Sequence, residues 1–243
     1  MAGTLLAVDA YISRFVEGSP VGAFGPINLQ SLSVTQPEPE TIQRVSRMRS
    51  SYGQALDSVS RPQPTELSFV TDETAPDVLS MAMLGQPATY AQTSGTDVAG
   101  TFTAKHDRWV AIGKNNLSAF AIATKDLGVD YEIVMDAGLV KVLSTGTITD
   151  ASTVNYTASY PAREGEDIVF GTDSVLQVQI TGIGVNQATG QRMDFEIYQA
   201  NVSPSGGLEL IGDEFLTLEF AGNLVTPEGK TGPFMIRRHR TAT

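Results

Sequence analysis

Leu176-Gln177-Val178-Gln179-Ile180-Thr181 alternates apolar and polar residues one for one. Successive side chains of a strand point to opposite faces, so this stretch reads as a half-buried β-strand. Met193-Asp194-Phe195-Glu196-Ile197 and Leu216-Thr217-Leu218-Glu219-Phe220 repeat the pattern. Working outward, further strands are expected at 10–16, 28–36, 65–71, 98–103, 108–112, 117–124, 130–135, 139–143, 208–211 and 234–237. Asp136-Ala137-Gly138, Asn186-Gln187-Ala188-Thr189-Gly190 and Ser203-Pro204-Ser205-Gly206-Gly207 supply turn residues between them. Many short strands at this spacing predict a β-sandwich or barrel.

One helix is signalled. Thr74 is placed as its N-cap, Pro76 in its first turn, Asp77 as the closing residue of a capping box and Gly85 as its end. Val78, Leu79, Met81, Ala82 and Leu84 make it apolar, fit to lie across a sheet or plug a barrel end, with Met81 and Met83 as core filling. The expected fold is mainly β, a sandwich or barrel with one flanking α-helix and a long inter-strand loop. With 243 residues, 41% of them apolar, the chain can bury a core, and a single β domain over 1–243 is expected.

Several classes are excluded by composition. The chain has no cysteine, which removes disulfide scaffolds, thiol catalysis and cysteine-ligated metals. The N-terminal stretch Met1 to Asp9 has no basic region and no long apolar run, so no secretory signal is expected. No segment approaches the ~20 apolar residues of a membrane helix. The net charge of −11 argues against binding nucleic acid through neutralised phosphates. The two histidines, His106 and His239, are far apart; no Gly-x-Ser-x-Gly elbow occurs, and Gly182-Ile-Gly184 lacks the spacing and helix of a phosphate loop. Carboxylate pairs such as Glu164 with Glu166, or Asp213 with Glu214, fall in expected turns. No catalytic residue, cofactor or metal site is expected. Trp109 is expected in a strand core.

Charge is unevenly placed. Arg44, Arg47, Arg49 and Arg61, with Arg237, Arg238 and Arg240, supply seven of the sixteen cations. The first group lies in a segment bracketed by prolines, from Pro37-Glu38-Pro39 to Pro62-Gln63-Pro64, which is expected to be an extended loop over 37–63. The second forms a basic C-terminal tail, 237–243. A basic loop and tail on an acidic body suit head-to-tail self-association; solvated arginines with local ion pairs are the plainer reading.

Gly25-Pro26-Ile27-Asn28, then Arg44-Val45-Ser46-Arg47-Met48-Arg49, then Ser51-Tyr52-Gly53-Gln54-Ala55-Leu56-Asp57-Ser58-Val59 resemble the N-terminal half of siphophage major tail (tail tube) proteins. The strand Pro64 to Phe69, the helix end Met81-Ala82-Met83-Leu84-Gly85 and the segment Glu214 to Gly222 are also similar to that family. The resemblance implies a β-sandwich or barrel assembled as hexameric rings that stack into a hollow tube, with the long loop reaching the neighbouring ring. Some members of that family carry an added immunoglobulin-like domain, and no linker or extra strand set is visible here for one.

On this resemblance the chain is expected to be a structural virion protein and not an enzyme. It would be assembled in the host cytoplasm as a homo-oligomer, joined by terminator and tape-measure proteins, with genomic DNA passing through without specific binding and no membrane involved. Arg44, Arg47, Arg49, Tyr52, Arg61, Arg237 and Arg238 are the expected inter-subunit residues. Strands 28–36 and 65–72 are expected to pair edge to edge around the ring, with Glu66, Ser68 and Asp72 facing an acidic lumen that does not hold DNA. The alternatives are a contractile-tail or secretion-system tube protein, which would have a sheath; a β-sandwich binding module, which would expose an aromatic platform; and an enzyme, which would converge carboxylates in a cleft.

Overall fold

The computed structural model describes residues 3–239. In chain order the elements are β1 (Leu6–Val16), β2 (Ser19–Ile27), β3 (Leu29–Thr35), β4 (Glu40–Val45), β5 (Ala55–Arg61), β6 (Glu66–Thr71), α1 (Pro76–Ala82), β7 (Gln86–Gln92), β8 (Gly95–Thr103) and β9 (Trp109–Ala111). They continue with β10 (Ala119–Ala121), β11 (Tyr131–Val134), β12 (Leu139–Val142), β13 (Thr153–Tyr160), β14 (Arg163–Val169), β15 (Leu176–Asn186), β16 (Arg192–Pro204), β17 (Leu218–Leu224) and β18 (Phe234–Arg238). The mainly β expectation with one short helix holds.

The single domain expected over 1–243 divides instead into two compact units, one holding the chain up to Pro87 and from Ile168 onward, the other Ala88 to Asp167. The boundary leaves no sign in the sequence, because the chain passes between the units along two ordinary strands, β7 and β14, that pair with each other.

The first unit is built on an eight-stranded sheet in the order β2-β1-β15-β16-β17-β6-β3, with β18 also on β16. Alternation decides its faces. In β15, Leu176, Val178 and Ile180 are buried while Gln177, Gln179 and Thr181 are half-exposed, as the period-2 reading requires. Their inner face joins Ile12, Leu67, Phe69, Ile197, Val202, Leu218 and Phe220 in one core. Phe69 and Phe220 stack on neighbouring strands, centroids 4.8 Å apart.

Helix α1 closes this core with Val78 and Met81. Its N-cap is Ala75, not Thr74, and no side chain caps it; Pro76 at the first position fixes φ and has no N–H to satisfy there. Leu84 adopts φ +49° as the chain leaves the helix. Gly85 follows because a Cβ there would stand 2.1 Å from the Val169 carbonyl oxygen. Arg14 pins the helix from β1, donating to Ser80 Oγ at 3.1 Å and to Asp173 at 2.8 Å.

Two expectations at the C-terminal end are corrected. Residues 208–211, expected as a strand, are irregular and mostly exposed: Leu208 packs against the core, while Leu210 and Ile211 stand in solvent. Arg237 and Arg238, expected in a basic tail, belong to β18 and lie opposite Asp194 and Met193 of β16. The tail expected at 240–243 lies outside the described residues.

The second unit holds two three-stranded sheets, β10-β13-β8 and β11-β12-β9. Its own core contains Phe102, Tyr131, Val140, Val142, Ile148 and Val154, with a smaller cluster of Leu117, Ala158 and Tyr160. Asp130 organises the 126–147 turns. It accepts from the backbone N–H of Thr147 at 2.7 Å and of Asp126 at 3.0 Å, and from Thr147 Oγ1 at 2.8 Å. These donors stabilise the carboxylate and hold its pKa down to about 2. Trp109, expected in a strand core, is 45% exposed; on the same face Lys141 lies over its ring and pairs with Glu132.

Candidate functional site

The segment expected as an extended loop over 37–63 is a β-hairpin arm. β4 and β5 pair with each other alone, Glu40 opposite Arg61, Ile42 opposite Val59 and Arg44 opposite Asp57. All residues of both strands are exposed on both faces. The arm therefore buries nothing against its own unit, and what it displays is available to something else.

Its root explains why it is separate from the main sheet. Pro37 and Pro39 on one side and Pro62 and Pro64 on the other have no N–H, so the β3–β6 ladder cannot run on into the arm. Side chains bridge the gap: Thr65 Oγ1 donates to Gln36 Oε1 at 2.6 Å, and Gln36 Nε2 donates to the Gln63 carbonyl at 3.1 Å. The tip is ordered around the buried Ser46, whose hydroxyl meets Ser51 Oγ at 2.7 Å and accepts from Met48 N at 3.2 Å. Ser46 N donates to Gln54 O at 2.8 Å, and Gly53 N donates to Ser46 O at 3.0 Å.

The expected interface residues fall into three groups. Arg47, Arg49 and Tyr52 stand exposed on the tip beside Met48. Arg44 and Arg61 are lower on the arm, Arg44 already paired with Asp57 at 2.8 Å, an exposed pair worth about 0–1 kcal/mol. Arg237 and Arg238 are on β18, distant in sequence from the arm and exposed. Beside them Asp194 gathers Arg192 and His239, and the Arg192 hydrogen bond leads the lowering of its pKa.

Glu66 and Ser68 are exposed on one face of β6, with Leu67 and Phe69 buried on the other. Their neighbours across the ladders are Thr35 and Ser33 on β3, and Asn223 and Ala221 on β17. This outer face includes Glu66 and Glu219, and strands β3, β6 and β17 contain no lysine or arginine. Asp72, just past β6, accepts from Gln30 at 3.2 Å and Asn28 at 2.8 Å, and these bonds hold its pKa below the ordinary value.

Strand pairing corrects one expectation: β6 lies between β17 and β3, so it has no free edge to offer. The main path of the sheet ends at β2 and β3, and β18, which pairs only with β16, leaves a third edge. Beside β3 lies an apolar groove of about 430 Å³, lined by Leu29, Leu32 and Val34 on one side and Phe195, Phe234 and Ile236 on the other. The hairpin leaves little sign in the sequence, because a strand exposed on both faces needs no amphipathic contrast and Thr41-Ile42-Gln43-Arg44-Val45 does not alternate.

Elsewhere, His106 Nε2 lies 2.8 Å from the Ile148 carbonyl and His239 Nε2 lies 2.7 Å from Asp194. Among the described residues, no three His, Cys, Asp or Glu converge as a metal would need. No helix among them is long and apolar enough to cross a membrane. The fold thus defines a mainly β protein with an inserted β unit and an ordered, exposed arm. Residues 10–235 match the family described as "Protein of unknown function UCP028589", and the chain belongs to that family. No curated protein matches the chain.

Proposed function

We propose that this chain is the structural subunit of a bacteriophage tail tube, working by self-assembly and not by catalysis. The observation that carries the reading is the arm. Thirteen strand residues are held in an ordered hairpin that contributes nothing to its own core, so the ordering entropy of the arm must be offset elsewhere. A contact with another copy supplies that offset, and the proline-bracketed root holds the arm out to make it.

Two further features support the reading. β3 is an end strand without proline or charge, able to extend a sheet across to a neighbour. The polar outer face of β3, β6 and β17, with Glu66, Ser68 and Asp72, suits a lumen through which DNA moves without being held, since phosphates find no cations there. Hexameric rings, terminator and tape-measure partners and a place in the virion tail follow from the resemblance. A sheath seen around the tube would move the assignment to a contractile tail or secretion system.

Negative-stain microscopy of the purified protein at rising concentration tests the reading, with rings or hollow tubes expected. A protein that stays monomeric at high concentration and within its native particle would end it. The exposed Trp109, with Lys141 and Glu132 beside it, favours a second role as a binding module for residues 88–167. Tubes formed without those residues would separate the two roles.

A further inference from the structure

The segment between β16 and β17 is a loop with an unusual surface. Within Leu208-Glu209-Leu210-Ile211-Gly212-Asp213-Glu214-Phe215-Leu216, Leu210 is 71% exposed, Ile211 93% and Phe215 95%. No helix or strand of the first unit covers these side chains. Glu209, Asp213, Glu214 and Phe215 also line a concavity of about 240 Å³. The loop has three carboxylates and no cation.

The arm tip is its chemical complement. It offers Arg47 and Arg49 with exposed Met48 and Tyr52. None of the ion pairs among the described residues uses Arg47, Arg49, Glu209, Asp213 or Glu214. Guanidinium groups pair with carboxylates in a planar, two-bonded fork, and apolar side chains left in water on both surfaces gain by covering one another.

Topology places the two surfaces head to tail. β6 and β17 run antiparallel, with Asn223 opposite Glu66 and Leu218 opposite Thr71. The arm returns into β6 at Glu66, whereas the loop enters β17 at Leu218. The surfaces therefore start from opposite ends of one strand pair, roughly 20 Å apart. A contact between unlike surfaces at opposite ends is heterologous, and where its rotation does not close a ring it repeats along an axis without limit.

Resting on the tube reading, we propose that residues 208–216 of one copy receive the arm tip of the next copy. Arg47 and Arg49 meet Glu209, Asp213 and Glu214, and Met48 and Tyr52 pack on Leu210, Ile211 and Phe215. The occupant is a second copy of this chain, because the tip supplies both the charge and the apolar surface that the loop lacks a partner for.

Charge exchange between full-length variants tests the assignment. One variant carries Arg47→Glu and Arg49→Glu; the other carries Glu209→Lys, Asp213→Lys and Glu214→Lys. All five positions are exposed, so both proteins keep the parent's melting temperature. Each alone needs about a hundredfold higher concentration to polymerise, measured by sedimentation and microscopy. An equimolar mixture polymerises near the parent's concentration, because every tip then finds a loop of opposite charge on the other variant. Recovery in the mixture also shows that both partners are folded. If the parent forms tubes and the loop variant does so equally well alone, the receiving surface lies elsewhere while the tube reading stands. A mixture that stays unassembled, with both variants folded, overturns the pairing too. A parent that never assembles removes the tube reading and this inference together.

Discussion

Replacing Met48 and Tyr52 together by serine should leave the folded monomer unchanged and cripple its assembly. Met48 is 66% exposed and Tyr52 78%, so both side chains retain most of their water contact in the monomer. Their loss should shift its stability by no more than about 0.5 kcal/mol, which moves the melting temperature by about 2 °C. Covering what remains exposed contributes about 1.5 kcal/mol for the methionine and about 2 kcal/mol for the tyrosine. Losing about 3.5 kcal/mol per arm weakens each joint about 300-fold. Copies joined in a ring act together, so the concentration at which tubes appear rises by at least that factor. Sedimentation across a concentration series measures this rise, and thermal unfolding of the same samples measures the fold. A threshold within about threefold of the parent's would refute the claim that the tip is buried in a joint. A large drop in melting temperature would show that the arm serves its own unit.

Three further outcomes follow from the packing. Phe220→Ala removes one ring of the buried Phe69–Phe220 stack and should cost about 3–5 kcal/mol in urea unfolding. Gly85→Ala would bring a Cβ to 2.1 Å from a backbone oxygen, so strand or helix end must move, costing about 1–3 kcal/mol in thermal unfolding. Asp130 has a folded pKa of about 2 against an ordinary 3.8, so the unfolded chain takes up its proton first as pH falls. Its stabilisation is complete above about pH 4 and is lost towards pH 2. Trp109 is the one tryptophan and lies in the inserted unit, so its emission reports that loss. Asp130→Asn should be less stable near neutrality and should lose this part of the acid dependence.

How much of this was legible depends on contrast between faces. β6 and β15 show one buried and one wetter face, and their alternation is readable directly; in β16 the alternating stretch 193–197 is half-buried on both faces until Ile197. β13 was equally readable in Val154-Asn155-Tyr156-Thr157-Ala158, yet it was not among the expected strands. β2 could not be read, since Pro20, Gly22, Gly25 and Pro26 carry turn chemistry along a strand whose residues are nearly all exposed. Residues 208–211 misled in the opposite sense, because Leu208, Leu210 and Ile211 read as a strand although only Leu208 reaches the core. The polar outer face of β6, Glu66 and Ser68, was visible as alternation. The unlike roles of Arg44, paired within the arm, and Arg47, free on its tip, were not, because they depend on the hairpin register.

The two ends of the large sheet differ in a way that bears on growth. β2 carries Pro20 and Pro26 and twice shifts register against β1, and prolines and bulges both spoil an edge for further pairing. β3 has neither proline nor charge and shifts register once. A sheet open to pairing at every edge could extend through like contacts in many ways, whereas a defended β2 leaves lateral contact to β3, or to the short β18 that pairs only with β16, meeting a different surface of the neighbour. Such a contact closes into a ring when its rotation allows. On the proposed tube assembly, axial growth falls to a separate device that leaves the β3 edge free, and the arm, which continues from the Thr35 and Glu66 ends of β3 and β6, is placed to act in that direction.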